Sequence, residues 1–233
     1  MAPEPPRFDP DTYPGRRPGG SVLVTDEAEV EVSVAGDEPA LPGPRDLRWS
    51  VAYGANADPE RLRDKGLTAA GALLLPAVVV GWVTAFEQRR TGYGSVPLTL
   101  VPSPGMRRHT WVLGVPATVL EELDRTEGRA PGGAPSVLDP TAGSARYAPP
   151  GAYQLGHVGR VEVAGGWVLP DALAYLPGPA TRVQVSGGSW RTWPESDQAA
   201  ARAHLEAGGP SEQVPAVTAP VLGAWPETPL VRA

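Results

Sequence analysis

The segment ATVLEELDRTEG, residues 117–128, carries an acidic side chain on the face where a helix would place its apolar residues. At about 100° of rotation per residue, Leu123 and Glu127 both fall within about 60° of Leu120, whereas the two remaining glutamates point to other faces. A carboxylate directed toward a core needs hydrogen-bond donors, a cation or a proton, and such a group is suited to general acid–base chemistry. Glu127 is therefore the candidate catalytic residue.

The sequence also allows Glu127 to be an ordinary surface residue without a catalytic role. Helix ends are uncertain by a residue or two, and Glu127 stands directly before Gly128, a common helix terminator. The side chain of Glu127 would then turn into water, as an ordinary surface carboxylate does.

The turn YGAN, residues 53–56, is the second candidate site. It follows the apolar run LRWSVA and precedes a predicted helix over PERLRDK, for which Asp58 is the N-cap, Pro59 the first residue and Gly66 the stop. A strand that ends at a Gly-containing turn leaves backbone N–H groups unpaired, so the turn could bind an anion or could simply connect the two elements.

The sequence does not favour a cysteine nucleophile, a zinc site or a serine hydrolase. The chain has no cysteine, which excludes a thiolate nucleophile and a Cys-based zinc site. Its histidines, His109, His157 and His204, lack the spacing of metal ligands, and no Gly-x-Ser-x-Gly elbow is present. We therefore expect no metal and no cofactor.

The composition favours a small ligand as the partner. A net charge of −6 argues against nucleic acid, which is bound through clustered Lys and Arg. The longest apolar run, residues 72–80, is broken by Pro76 and is too short to cross a membrane, so no membrane partner and a cytoplasmic location are expected. Lys65 is the only lysine against nineteen arginines, a bias attributed to coding composition. The sequence leaves the oligomeric state open.

The chain is predicted to form one domain with two irregular ends. Residues 1–46 are a Pro- and Gly-rich acidic extension, whose alternation of Val30, Val32 and Val34 predicts a half-buried strand compatible with an added edge hairpin. Residues 47–208 form the domain itself, and 209–233 an extended C-terminal arm.

The elements of the domain are short strands and few helices. Strands are predicted over LLLPAVVVGWVTAF, VPLTLVP, TWVLGVP, AYQLGHVGRVEV and GWVLPDALAYL. A low-hydrophobicity loop over residues 129–152 is typical of a lid, a binding loop or a disordered segment. In TWPESDQAAARAHLEAGG, Thr192 and Glu195 have the spacing of a capping box, and Gly208 would end the helix. This mixture predicts an α+β fold built on a small, mixed, curved sheet or barrel.

In chain order, the segments YGAN, TLVPSPG, WVLGVPATVLEELDRTEG, YQLGHVGRVEV and ALAYLPGP resemble the gamma-glutamylcyclotransferase-like family, most clearly over residues 47–180. The resemblance implies that family's single-domain fold and a lyase-type, acyltransferase-like cyclisation of a gamma-glutamyl amide. The alpha-amine of the substrate attacks its own side-chain carbonyl and releases 5-oxoproline and a free amine or amino acid, without a metal or cofactor.

The resemblance also assigns roles to residues. Glu127 corresponds to the family's acid/base glutamate, and Tyr53, Gly54, Ala55 and Asn56 correspond to its substrate-binding turn. Ala55 replaces the serine that is usual in the family, which removes a hydroxyl group but keeps the backbone N–H.

The family's tyrosine shortly after the EG motif is missing from its usual place. Tyr147 and Tyr153, beyond the Pro- and Gly-rich insertion, are the candidates for the acceptor side of the site. These residues do not identify the leaving group, because glutathione, gamma-glutamyl dipeptides and gamma-glutamylated amines share the half of the molecule that the motifs would bind.

Two other functions stay open on the sequence. The chain could be a noncatalytic small-molecule binding module on the same scaffold, which the Ala55 and loop differences allow. It could also be an interaction protein that uses its Pro-rich ends.

Overall fold

A computed structural model describes residues 10–35, 46–92, 94–129, 152–215 and 224–233 of the chain. These residues form a mixed α+β fold with long strands and short helices, which confirms the predicted class. In chain order the strands are β1 (Val22–Val24), β2 (Glu29–Glu31), β3 (Leu47–Ala52), β4 (Ala72–Phe86), β5 (Leu98–Pro116), β6 (Tyr153–Val163), β7 (Trp167–Pro177), β8 (Arg182–Ser186), β9 (Ser189–Trp190), β10 (Ser211–Gln213) and β11 (Val231–Arg232). The α-helices are α1 (Pro59–Asp64), α2 (Leu120–Thr126) and α3 (Gln198–Glu206), and short 3-10 turns span Pro10–Thr12, Ala55–Ala57 and Ala117–Val119.

Five of the strands close into a barrel. The antiparallel pairs β3–β5, β5–β4, β4–β6 and β6–β7 run round the sheet, and β7 returns to β3 through a short parallel pair. Along β3 the buried side chains alternate, so Val51 packs in one apolar cluster and Ala52 in the cluster on the opposite face. Leu62 of α1 and Leu123 of α2 join the second cluster, so both helices pack against the same face of the sheet.

The prediction of two separate strands over VPLTLVP and TWVLGVP is wrong. They form the single strand β5, which pairs along almost the whole length of β4. Opposite Gly81 the register shifts, because Val80 pairs with Arg107 but Trp82 pairs with Pro102. The residues that predicted a turn, 103–106, bulge out of the ladder instead, since β4 is long enough to pair with both halves.

The acidic N-terminal segment adds a hairpin to the edge of the barrel sheet. β1 pairs antiparallel with β4, and β2 pairs with β1. The three valines of this segment differ in exposure. Val30 on β2 is 50% exposed, whereas Val32 and Val34, which follow β2, are buried in a core cluster. The carbonyl of Val34 accepts a hydrogen bond of 2.8 Å from the indole N–H of Trp167. The segment therefore packs onto the domain over much of its length.

The helices begin and end with local signals. Asp58 caps α1 by accepting a hydrogen bond from the amide of Glu60 at 3.0 Å, as predicted. The predicted capping box of Thr192 and Glu195 is wrong: α3 begins later, and the side chain of Asp197 accepts the amide of Ala200 at 2.8 Å. Thr192 is instead held extended by a bridge to β4.

Within the part of the chain that the structure describes, no helix has the length and apolar character needed to cross a membrane.

Candidate active site

Glu127 lies at the C-terminal end of α2 with its side chain directed inward. Its backbone N–H donates to the carbonyls of Leu123 and Asp124, both at 3.2 Å, and Gly128 then takes a left-handed conformation with φ of 72°. The Glu127 side chain is only 12% exposed. The alternative in which this carboxylate turns into water is therefore not the one the structure adopts.

Two side chains from two other elements meet at this carboxylate. The ammonium Nζ of Lys65, directly after α1, lies 2.6 Å from Glu127 Oε1 and 2.6 Å from the Oδ1 atom of Asn56. The Asn56 amide Nδ2 in turn donates to Glu127 Oε1 at 3.2 Å. The YGAN turn, the end of α1 and the end of α2 thus share one closed polar network.

Local sequence brings these three residues together. β3 ends at Ala52, and the following 3-10 turn is closed by hydrogen bonds of 3.1 Å from the amide of Ala57 to the Gly54 carbonyl and from that of Asp58 to the Ala55 carbonyl. Asp58 then caps α1, a helix of six residues that ends at Asp64, directly before Lys65. The amides at the start of a 3-10 turn have no acceptor within the turn, which is the arrangement that anion binding by the YGAN segment requires.

Gly54 lies in close contact with the N-terminal segment. A Cβ atom at Gly54 would lie 3.0 Å from the hydroxyl of Tyr13. That hydroxyl also accepts the backbone N–H of Leu98 at 3.1 Å. The N-terminal extension therefore contributes a buried phenol beside the YGAN turn.

Tyr53 and Tyr153 are both buried, but they face different partners. The Tyr53 hydroxyl donates to the carbonyl of Tyr175, and burial, followed by the charges of Glu127 and Glu87, raises the pKa of Tyr53 well above 10.0. The Tyr153 hydroxyl donates to Glu87 Oε1 at 2.8 Å rather than to Glu127. Both phenols therefore stay protonated at neutral pH and act as hydrogen-bond donors. The other predicted acceptor-side residue, Tyr147, lies outside the described residues.

Glu87 is a second acidic residue of this region that the sequence patterns do not reveal. It is fully buried after β4, where its Oε2 atom lies 2.5 Å from the Nε atom of Arg89, and the guanidinium of Arg89 also reaches the hydroxyl of Tyr153 at 3.3 Å. Burial raises the pKa of Glu87, Arg89 opposes that effect, and the charge of Glu127 adds to it. The Glu87–Arg89 pair is therefore electrostatically close to the Glu127 network.

Asp124 holds the end of α2 in place. This buried carboxylate lies 2.6 Å from Nη1 of Arg129 and accepts the hydroxyl of Tyr175 at 2.7 Å and the indole N–H of Trp225 at 3.2 Å. Because Arg129 follows Glu127 by two residues, the Asp124 network fixes both sides of the candidate catalytic residue.

Lys65 is the residue that sequence reasoning missed most clearly. Its rarity suggested coding composition, yet the only lysine of the chain is the one that contacts Glu127. The available signal was its place immediately before Gly66, at the predicted end of the helix that follows the YGAN turn.

Among the described residues, no group of three or more His, Cys, Asp or Glu side chains is arranged to hold a metal ion.

Comparisons with known proteins give distant structural similarities. No family model and no curated protein matches the chain. The solved structures similar to it include a gamma-glutamyl cyclotransferase, at 15% identity and a TM-score of 0.43, covering 70% of this chain and 80% of the other. They also include an uncharacterized protein from Homo sapiens, at 17% identity and a TM-score of 0.41, covering 60% of this chain and 73% of the other. The first of these carries the name of the family that the sequence resembles.

Proposed function

We propose that this protein is a gamma-glutamyl cyclotransferase-type lyase that releases 5-oxoproline from a gamma-glutamyl amide, with Glu127 as the general acid/base. The observation that carries the proposal is the position of Glu127: an inward carboxylate, 12% exposed, that contacts Lys65 and the Asn56 side chain of the YGAN turn. An acid–base group thus lies beside a turn suited to a substrate carboxylate.

The reaction begins with a proton transfer. The alpha-ammonium group of the substrate is protonated near neutral pH and cannot attack, so Glu127 removes one proton. The free amine then forms a bond to the gamma-carbonyl carbon and closes a five-membered ring. As the tetrahedral intermediate collapses, the bond from that carbon to the leaving nitrogen breaks, and Glu127 returns the proton to this nitrogen. The ring nitrogen gives up its second proton to Glu127, which passes it to the released amine, so the products are the neutral lactam and an ammonium ion. No water is consumed.

The surrounding residues bind and orient the substrate. The backbone amides of Gly54, Ala55 and Asn56 are donors for its alpha-carboxylate, and the phenol of Tyr53 stays neutral next to the developing charges. Because nucleophile and electrophile belong to one molecule, holding it in a folded conformation supplies much of the rate enhancement. Tyr153, whose hydroxyl Arg89 contacts at 3.3 Å, is proposed for the leaving-group side of the site.

The test is 5-oxoproline release, measured by mass spectrometry from a panel of gamma-glutamyl amino acids and amines. Glu127→Gln keeps the shape of the side chain but removes its proton transfer, so we expect release to fall by about 100-fold or more. Glu121→Gln is the matched control, because Glu121 lies exposed on the same helix. It should retain wild-type release.

Two results would count against the proposal. Release by Glu127→Gln at nearly the wild-type rate would remove Glu127 from the chemistry. Absence of release from the folded wild type, combined with a ligand-induced rise in Tm, would favour the noncatalytic binding module.

A further inference from the structure

We propose that the Lys65–Glu127 ion pair separates around the head group of the substrate, with Lys65 binding the alpha-carboxylate while Glu127 faces the alpha-ammonium. This inference rests on the proposed function and extends it, because it makes Lys65 the residue that selects substrates with a free alpha-carboxylate.

The contacts of the pair leave room for such an exchange. Lys65 and Asn56 both contact the same atom of Glu127, Oε1. Among the described residues, Lys65 directs its ammonium at two oxygen acceptors, and an ammonium group carries three donors. The network therefore presents a cationic and an anionic group side by side, with bonding capacity remaining on each.

The exposure of the two groups fits a binding role. The side chains of Lys65 and Glu127 are 13% and 12% exposed, so both are largely withdrawn from water but reachable. A pair at this depth loses much of its hydration, and removing one partner would leave an uncompensated charge. A zwitterionic head group avoids that cost, because it supplies a carboxylate to Lys65 and an ammonium to Glu127 at the same time.

Asn56 can hold Lys65 and Glu127 in position when their ion pair separates around the substrate. Its Oδ1 atom accepts from Lys65 and its Nδ2 atom donates to Glu127, so one amide is in contact with both charges. When the ion pair separates, Asn56 can keep its contact with each partner and fix the distance between them. A substrate whose alpha-carboxylate is converted to a carboxamide would leave Lys65 without a counterion.

A purely structural ion pair makes a different prediction. If Lys65 only joins the ends of α1 and α2, then replacing it weakens the fold and lowers release from all substrates in the same proportion. If it binds the carboxylate, then the preference between two substrates changes.

The first experiment compares kcat/KM for gamma-glutamyl-alanine and for a derivative in which the alpha-carboxylate of the glutamyl group, not that of the alanine, is converted to a carboxamide. We expect the wild type to prefer the carboxylate by roughly 100-fold, as expected where a charged group of the site is left unpaired. Lys65→Met should lose most of that preference, and Lys65→Arg should retain part of it. Arg63→Met, which removes a cation from the same helix at a surface ion pair with Glu29, should keep the wild-type preference.

The second experiment needs neither turnover nor a variant. Because Lys65 is the only lysine, peptide mapping after treatment with an amine-acylating reagent reports on this side chain alone. Gamma-glutamyl-alanine should protect Lys65 from acylation, whereas the carboxamide should not.

The two experiments separate the inference from the proposed function. Protection without any 5-oxoproline release would refute the cyclotransferase and leave the carboxylate contact standing. Equal protection by the two compounds, or protection by neither, would overturn the role of Lys65 even if release is robust. So would an unchanged preference in a folded Lys65→Met variant.

Discussion

Glu87 is a fully buried carboxylate, and its contribution to stability should depend on pH in a definite direction. Burial raises its pKa above the ordinary 4.5, so the folded state holds the proton more tightly than the unfolded state does. The stabilisation from this group is complete below about pH 4.5 and is lost as the pH rises through the folded pKa. Within that window its slope is at most about 1.4 kcal/mol per pH unit.

Denaturant unfolding between pH 4 and 8 measures this effect. We expect Glu87→Gln to remove the loss of stability that Glu87 causes at rising pH. The difference between the free energy of unfolding of the variant and that of the wild type should therefore shift in favour of the variant as the pH rises. Glu162→Gln is the control of opposite sign: the hydrogen bond to Arg107 lowers the pKa of the exposed Glu162, so that group stabilises at high pH and loses the effect on acidification. Parallel pH curves for the wild type and Glu87→Gln would contradict the assignment.

Single residues also show where sequence reasoning succeeds in this site. A helical wheel places Glu127 on the apolar face, because that direction depends on the local period of α2, and the structure decides between this position and the alternative in which the helix end turns the side chain into water. The contacts of Lys65 and Glu87 depend on which elements the barrel brings together, and no local pattern encodes them. Asp124 was missed for the same reason, since its partners Tyr175 and Trp225 are distant in the chain.

At the scale of elements, the N-terminal segment fastens the YGAN turn to α1. The Oδ2 atom of Asp58 accepts the amide of Arg16 at 3.2 Å, while its Oδ1 atom caps the helix. The guanidinium of Arg17 donates to the Tyr53 carbonyl at 3.3 Å and lies over the rings of Trp111 and Trp193. Burial lowers the pKa of Arg17 to about 10, so it remains charged at neutral pH.

Asp58→Ala should therefore lower both stability and activity. It removes a helix cap and a second, partly buried hydrogen bond, a loss of about 2 to 3 kcal/mol in the free energy of unfolding. It should also reduce 5-oxoproline release, because the turn that carries Asn56 loses its support. Asp197→Ala is the matched control, since it removes one cap at α3 and should cost about 1 kcal/mol without affecting release. Equal effects of the two variants on release would contradict this assignment.

Elements with local signals were predicted well, and those decided by distant pairing were not. The cap, first proline and terminal glycine of α1 lie within residues 58–66, so the bounds of this helix follow from local sequence. The sequence predicts a break in β5 after Pro102 because Ser103 to Met106 include Pro and Gly, which are common in turns, whereas the facing strand β4 is long enough to pair with β5 on both sides of them. Thr192 has cap chemistry, but its bridge to Ala85 holds it outside the helix.

At the scale of the whole molecule, the described part of the extension, residues 10–35, packs onto the barrel. The pattern of residues 1–46 predicts an extension with a half-buried strand, compatible with an edge hairpin, and in the described part of this extension five side chains are buried in the core clusters: Tyr13, Val22, Val24, Val32 and Val34. The closure of the barrel by the parallel β3–β7 pair was likewise not specified by any local pattern. An α+β class could be predicted from composition and periodicity, whereas the order of strands could not.

Deleting residues 1–46 should prevent cooperative folding. Five buried side chains at about 2 kcal/mol each amount to about 10 kcal/mol, which is comparable to the whole stability of an ordinary domain. Circular dichroism of the truncated chain should show no cooperative thermal transition. Val30→Ser, at the exposed position of β2, is the control and should leave Tm unchanged. A truncated chain that melts cooperatively near the wild-type Tm would show that the buried contacts of this segment contribute little.

This prediction also decides how an interaction function can be tested. If the truncated chain is unfolded, then its failure to capture a partner says nothing about the Pro-rich end. Removing only residues 1–9, which include Pro3, Pro5 and Pro6, keeps every buried contact named above. We expect this shorter deletion to preserve both Tm and 5-oxoproline release, because the residues of the proposed chemistry begin at Tyr53 and the buried side chain of Tyr13 beside them is kept. Loss of release from such a folded variant would mean that the extreme N-terminus belongs to the site, and the proposed division between the catalytic residues and the Pro-rich end would be wrong.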